Sequence, residues 1–267
     1  MFYPLSNKSL VMSEIYSSIA NLSFSGKTDE GMLREKNEDS FYIDDQGRFC
    51  LIADGMGGHA GGQEASQIAV EQIRRYFEDN WDKDIASSAM LKAAFIQANQ
   101  SILKDQEIHR EREGMGTTAI AVIFRHGTTW YSHVGDSRLY RYRDGNLEQI
   151  SEDHTLIARQ VKSGDITPEQ AEISPWRHIL YQCLGRPDLP YVELDSLTMQ
   201  SGDRLLLCSD GLTEEISNLE IQKILSDKKS EEEMTTSLIE SAKEKGGSDN
   251  ITVIVVNGFE QSSSAND

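Results

Sequence analysis

Residues 49–59 read FCLIADGMGGH, an apolar run that ends in Asp54 and is followed by a glycine cluster. A continuous apolar run of this length, bounded by glycines, predicts a buried strand that stops at Asp54. A carboxylate at the end of a strand, next to flexible backbone, can serve as an oxygen ligand for a hard cation. We therefore expect the fold to bring further carboxylates to the same place.

Three more aspartates, Asp136, Asp210 and Asp249, lie at the ends of other apolar runs, each beside a glycine or a serine. Oxygen ligands of this kind favour Mg²⁺ or Mn²⁺, and two such ions about 3.5–4 Å apart can support in-line attack on phosphorus. An aspartate before a glycine is more often a turn residue, so no single one of them identifies a site. Together the four predict one metal site.

The composition narrows the classes of partner. The 267 residues carry 44 acidic and 26 basic side chains, a formal net charge of −18, which disfavours nucleic acid or an anionic membrane as a partner. The three cysteines, Cys50, Cys183 and Cys208, are too few and too widely spaced for a disulfide framework. The N-terminus lacks the pattern of a signal peptide, and no apolar run reaches the ~18 residues of a membrane span. We expect a cytoplasmic monomer.

The pattern predicts an N-terminal extension over residues 1–20, one domain over 21–258 and a disordered tail over 259–267. Residues 155–188 are irregular and interrupted by prolines, which suggests a flap over a surface site. Strands, two long helices, strands, then helices and a strand fit an α+β layered domain better than a doubly wound fold. The predicted strands are 22–29, 40–44, 48–54, 117–124, 129–134, 138–142, 191–197, 203–208 and 251–256, and the predicted helices include 156–162, 218–225 and 231–245.

Other phosphate or nucleotide chemistries fit less well. Gly26-Lys27-Thr28 resembles the end of a phosphate-binding loop, but Asn21 stands where that motif needs a glycine. The glycines after Asp54 fit a relaxed dinucleotide fingerprint, yet long helices follow where a second parallel strand should come. Cys183 and Arg186 are too close together for the loop of a cysteine phosphatase.

Six segments resemble, in order, the motifs of the PP2C (PPM) family of metal-dependent serine/threonine protein phosphatases, most closely its compact bacterial branch. They are REKNED (34–39), DGMGGH (54–59), GMGTT (114–118), VGDSR (134–138), LCSDGLT (207–213) and GSDN (247–250). The resemblance runs from about residue 22 to residue 256. It implies a four-layer α-β-β-α sandwich of two antiparallel sheets, with the metal centre at one edge.

The resemblance also implies roles for individual residues. Asp54 would bridge two tightly held Mg²⁺ or Mn²⁺ ions, with Asp210 and Asp249 on the first ion and the carbonyl of Gly55 on the second. Glu38 and Asp39 would act mostly through metal-bound water. Asp136 and Asp210 would together hold a weaker third ion. Arg34 would bind the phosphate oxygens, for which a planar guanidinium is well suited.

The implied activity is hydrolysis of phosphoserine and phosphothreonine on phosphorylated proteins by a metal-bound water. The segments PWRH (175–178) and CLGR (183–186) are similar to those of cyanobacterial members that act on the PII signalling protein. In many animal members a histidine follows the Asp-Gly pair and is taken as the proton donor; here Met56 stands there, and His59 is the candidate. The alternative is a non-catalytic phosphoprotein-binding relative, although every ligand position is present.

Overall fold

The structure, a computed structural model, describes residues 21–57, 61–189 and 192–259. The predicted extension over 1–20 and most of the predicted tail therefore lie outside the described residues, and so does His59. Phe259, which the sequence assigned to the tail, is the last residue of a strand. Within the described ranges, no helix combines the length and apolar character needed to cross a bilayer.

Two antiparallel sheets form the centre of the fold, as predicted. The first has the order β1-β11-β10-β7-β8, and the second has the order β2-β3-β5-β6-β9 with β4 paired to β3. The strands are β1 (Asn21–Asp29), β2 (Asp39–Ile43), β3 (Phe49–Met56), β4 (Gly116–Thr117), β5 (Ala119–Arg125), β6 (Thr128–Val134), β7 (Arg138–Arg143), β8 (Asn146–Gln149), β9 (Glu193–Leu197), β10 (Arg204–Cys208) and β11 (Ile251–Phe259).

Helices cover the outer faces of both sheets. They are α1 (Gly62–Asn80), α2 (Ser87–Ile108), α3 (Leu156–Ser163), α4 (Pro168–Glu172), α5 (Asp210–Thr213), α6 (Asn218–Ser226) and α7 (Glu231–Lys245), with a 3₁₀ turn at Arg110–Arg112. Helices α6 and α7 each begin with a capping box. The side chains of Ser217 and Ser230 each accept a backbone N–H, and a glutamate side chain accepts the backbone N–H of each serine. These local signals explain why both helices begin where the sequence predicts.

Three hydrophobic clusters lie between the layers and confirm the α-β-β-α sandwich. One joins α1 and α2 to the second sheet; within it Phe49 of β3 packs edge to face on Phe77, with ring centroids 5.1 Å apart. Another joins α6 and α7 to the first sheet. The third lies between the sheets and includes Ile52, Ile120 and Leu205. The apolar part of the opening stretch is thus buried on both of its faces.

Several short elements differ from the sequence prediction. The strand predicted over 117–124 is divided into β4 and β5, and the division falls at Thr118. The sequence also did not predict β8, α4 or α5. These three elements are four or five residues long, too short to show a clear hydrophobic period.

One bridge closes the predicted flap at its base, and another joins the flap to β4 of the sandwich. An isolated bridge joins Thr155 to Leu180, and a second joins Thr117 to Leu184. The segment between Thr155 and Leu180 contains α3 and α4, and its last residues lie beside the end of β3.

The inter-sheet cluster predicts a large stability difference between two leucines. Leu205 is fully buried between the sheets, whereas Leu219 is 76% exposed at the start of α6. We expect Leu205→Ala to lower the free energy of unfolding by about 2–5 kcal/mol, because it removes buried apolar volume, and Leu219→Ala to change it by about 0.5 kcal/mol or less. Denaturant titration measures both variants. Equal effects would contradict the assigned core.

Candidate metal centre

A cavity of about 450 Å³ opens at the edge of the sandwich where the strand ends meet. It brings together seven of the predicted site residues, which are Arg34, Glu38, Asp54, Gly55, Asp136, Asp210 and Asp249. They come from the β1–β2 loop, the end of β3, the β6–β7 loop, the start of α5 and the residue pair before β11. Residues separated by more than 200 positions in the chain therefore share one cavity.

Asp39 lies next to this cavity but is buried. It is the first residue of β2 and pairs in register with Asp54 of β3. Its Oδ2 atom accepts hydrogen bonds from the hydroxyls of Ser209 at 2.8 Å and Thr252 at 2.6 Å. Its Oδ1 atom is buried and has no hydrogen-bond partner among the described residues. A buried acceptor of this kind is costly unless a donor or a cation satisfies it.

Burial, and then the charge of neighbouring carboxylates, disfavours the ionised form of these aspartates. Burial raises the pKa of Asp39 to about 7, with a further contribution from Asp210. Burial and then the charge of Asp39 raise the pKa of Asp54 well above its usual range. The pKa of Asp136 is raised by burial and by Asp210, and that of Asp210 by burial and by Asp249. A bound cation would relieve this repulsion.

Thr118 connects the end of β3 to the β6–β7 loop. Its hydroxyl accepts the N–H of Asp54 at 2.9 Å and lies 2.7 Å from the hydroxyl of Ser137. Its own N–H donates to the carbonyl of Asp54 at 2.8 Å. The interruption between β4 and β5 thus places one polar side chain where it fixes Asp54 and the neighbour of Asp136.

Asn250 holds the β1–β2 loop, which carries Arg34 and Glu38. Its amide nitrogen donates to the carbonyls of Glu30 and Lys36, and its amide oxygen accepts the N–H of Glu38 at 2.8 Å. The buried amide therefore acts as a brace between this loop and the segment that carries Asp249. Arg34 itself donates to Oδ2 of Asp249 at 2.6 Å, with 53% of its side chain exposed.

Two glycines permit a close approach of the backbone at the cavity wall. A Cβ atom on Gly55 would lie 2.0 Å from the carbonyl oxygen of Gly62, and one on Gly62 would lie 2.2 Å from a carboxylate oxygen of Glu38. Both distances are far below contact distance. The β3 end, the start of α1 and Glu38 can meet only because these positions lack side chains.

Sequence reasoning missed some of the residues at this site. His178 and Leu180 of the flap line the cavity, and His178 Nδ1 lies 2.5 Å from a carboxylate oxygen of Glu214. Ser209 and Thr252, which bind Asp39, were also not singled out. Ser209 directly precedes Asp210, and Thr252 is a polar residue within the apolar first half of β11, so a search for polar residues within buried runs could have found both.

Comparison with known proteins identifies the family of this chain. Residues 34–253 match the family model described as Protein phosphatase 2C. The chain belongs to this family. It is 36% identical over 239 residues to the serine/threonine phosphatase Stp of Listeria welshimeri, a match that covers 86% of this chain and 93% of that protein.

A relative from Mycobacterium tuberculosis is longer than this chain. The chain is 38% identical over 237 residues to the serine/threonine protein phosphatase PstP of Mycobacterium tuberculosis, covering 88% of this chain but 44% of PstP. The crystal structure of that phosphatase superimposes with a TM-score of 0.82 over 90% of this chain and 99% of the crystallised chain. A structure of the PstP catalytic domain contains two manganese ions, and its TM-score is 0.80 at 36% identity over 90% of this chain and 99% of that chain.

The buried carboxylate of Asp39 gives the chelator-treated protein a distinct pH dependence. Its pKa rises from an ordinary 3.8 to about 7 on folding, so between these values the folded state binds the additional proton. The free energy of unfolding should therefore fall as pH rises through this window, by up to about 1.4 kcal/mol per pH unit from this group.

We expect Asp39→Asn to make this pH dependence shallower, as measured by denaturant titration in chelator between pH 5 and pH 8. The control is Ser40→Ala, because Ser40 lies on the same strand and does not titrate. This variant should keep the wild-type slope. An unchanged slope in Asp39→Asn would contradict the assigned environment of Asp39.

Proposed function

We propose that residues 21–258 form one phosphatase domain that hydrolyses phosphoserine and phosphothreonine on proteins with the help of divalent metal ions. The observation that carries this proposal is the set of buried carboxylates at one edge of the sandwich, whose pKa values are raised by burial and then by their mutual charge. Membership of the protein phosphatase 2C family and the two manganese ions of the PstP catalytic domain support it.

The residues present fit hard divalent cations. The donor set consists of carboxylates, one Asp39 oxygen lacks a partner among the described residues, and Gly55 can bear no side chain. The residues that would hold two tight ions are Asp54, Asp210 and Asp249 with the carbonyl of Gly55, supported by Glu38 and Asp39. Asp136 with Asp210 would hold a weaker third ion. Mg²⁺ and Mn²⁺ suit these ligands equally well.

Bound divalent ions would polarise the phosphoryl oxygens and make a water molecule acidic enough to attack phosphorus near neutral pH. The chain's own residues perform the other tasks. Arg34 lies half-exposed at the rim of the cavity beside Asp249, where its planar guanidinium can bind two oxygens of a phosphate dianion. His59 stays a prediction as the proton donor to the leaving serine or threonine oxygen.

A second cavity provides space for the polypeptide that carries the phosphate. It has a volume of about 690 Å³ and shares Asp136, His178 and Asp210 with the metal-centre cavity. From there it continues between the flap, including Arg177, and the start of α6 at Leu219. This shape suits an extended peptide better than a small phosphate ester.

The PII signalling protein as substrate, a monomeric state and a cytoplasmic location stay predictions from the sequence.

The proposal predicts Mn²⁺-dependent hydrolysis of a phosphothreonine peptide and of para-nitrophenyl phosphate, lost on addition of a chelator. Asp54→Asn should reduce turnover by about 100-fold or more, because it removes the charge that both ions would share. Released phosphate measures the rate.

The matched control for this variant is Asp203→Asn. Asp203 is also a buried aspartate, but it precedes the first residue of β10, at the end of that strand opposite to Asp210, and is paired with Arg143. This control should keep turnover within a fewfold of the wild type. Phosphopeptide binding without hydrolysis at any Mn²⁺ or Mg²⁺ concentration would instead support a binding protein and contradict the proposal.

A further inference from the structure

His154 lies outside the metal-centre cavity, yet it contacts the loop that carries one of the proposed ligands. Its imidazole Nδ1 accepts the N–H of Gly135 at 3.1 Å, and its backbone N–H donates to the carbonyl of Gly135 at 3.0 Å. One residue therefore binds both polar backbone groups of the residue directly before Asp136. Two hydrogen bonds thus attach His154 to Gly135, which lies 19 positions away in the sequence.

Gly135 needs such an attachment because its conformation is unusual. Its φ angle is +104°, a value that favours glycine, and a Cβ atom there would lie 2.6 Å from the side chain of Thr118. The flexible glycine can adopt many conformations, and only some direct Asp136 into the cavity. The two hydrogen bonds from His154 select one of them.

The partners of the imidazole define its protonation. Because the N–H of Gly135 is a donor, Nδ1 must carry a lone pair, and the proton belongs on Nε2. Nε2 lies 3.1 Å from a carboxylate oxygen of Glu193 on β9, which accepts this proton. The ring is 1% exposed and stacks on His133 with centroids 4.6 Å apart. The side chain is thus held in one tautomer and one orientation.

His154 also connects the loop to the base of the flap. Its carbonyl accepts the N–H of Tyr181 at 3.0 Å, and the ring of Tyr181 lies 5.5 Å from its own ring. The next residue, Thr155, pairs with Leu180. A single buried histidine therefore joins three parts of the molecule, which are the Gly135–Asp136 loop, the edge strand β9 and the flap.

The same cluster is a poor metal site. Ligand atoms of His133, His154 and Glu193 lie within 4.8 Å of one another. However, both ring nitrogens of His154 have partners, and the two imidazole planes are only 20° from parallel. Lone pairs in stacked, nearly parallel rings do not converge on one ion. The geometry favours hydrogen bonding over metal binding.

We propose that His154 is a positioning residue for Asp136. By accepting the Gly135 N–H through Nδ1, it holds the Asp136 carboxylate in the orientation needed to bind the weaker metal ion. This inference rests on the proposed function, in which Asp136 is a metal ligand. It predicts that the Nδ1 acceptor, rather than the bulk of the ring, matters for turnover.

Two substitutions separate these possibilities. In His154→Asn the amide oxygen is as far along the side chain as Nδ1 and can accept the Gly135 N–H. In His154→Gln the amide lies at the distance of Nε2, so it can reach Glu193 but not Gly135. Both variants lose the ring stacking on His133 and Tyr181, so they form a matched pair for stability.

We expect His154→Gln to lower kcat and weaken binding of the weaker Mn²⁺ ion by roughly 10–100-fold, as loss of support behind a ligand typically does, and His154→Asn to restore most of both. Steady-state kinetics on para-nitrophenyl phosphate and calorimetric Mn²⁺ titration give the two readouts. In an Asp136→Ala background, His154→Gln should cause no further loss, because the group that it positions is already absent. Equal losses in both variants, or additive losses in the double variant, would overturn the proposal.

A measurement on the wild-type protein does not depend on how the variants fold. Long-range ¹H–¹⁵N spectra of the histidine rings should show His154 neutral, protonated on Nε2 and hydrogen-bonded at Nδ1 to the Gly135 amide. A proton on Nδ1 would overturn the proposal. If the wild type has no Mn²⁺-dependent turnover, the proposed function fails, while this spectrum still tests the attachment itself.

Discussion

The repulsion among buried carboxylates at the edge of the sandwich is the constraint on which the rest of the site depends. Strand pairing brings Asp39 and Asp54 into register, and the ends of other elements add Asp136, Asp210 and Asp249. Burial and mutual charge raise the pKa values of Asp39, Asp54, Asp136 and Asp210, so the arrangement costs stability in the absence of a cation. Such a cluster persists only when the surrounding structure fixes it.

The surrounding hydrogen bonds meet this requirement from several directions. Ser209 and Thr252 hold Asp39, Thr118 holds the backbone of Asp54, and Asn250 braces the loop of Arg34 and Glu38. These groups are polar side chains buried within apolar strands or between them. Their partners lie on elements far apart in the chain, so the two packed sheets must form before the ligands can be aligned.

The sequence predicted which candidate ligands lie together better than it predicted the residues that support them. Asp54, Asp136, Asp210 and Asp249 could be found because each adjoins an apolar run, a pattern visible within ten residues. Thr118 could not be predicted to interrupt a strand, because the apolar pattern continues past it and the interruption reflects contacts with Asp54 and Ser137. The attachment of His154 to Gly135 spans 19 positions, and its contact with Glu193 spans 39, so neither has a local signal. Strand β8, with the sequence NLEQ, lacks the alternation that would identify it.

The central claim is that these carboxylates form a centre for two metal ions, and anomalous diffraction from crystals grown with Mn²⁺ tests it most directly. The account predicts two strong anomalous peaks in the cavity, both in contact with Asp54, with Asp210 and Asp249 as ligands of one ion and the Gly55 carbonyl as a ligand of the other. An empty cavity, or manganese bound only at His133, His154 and Glu193, would contradict it.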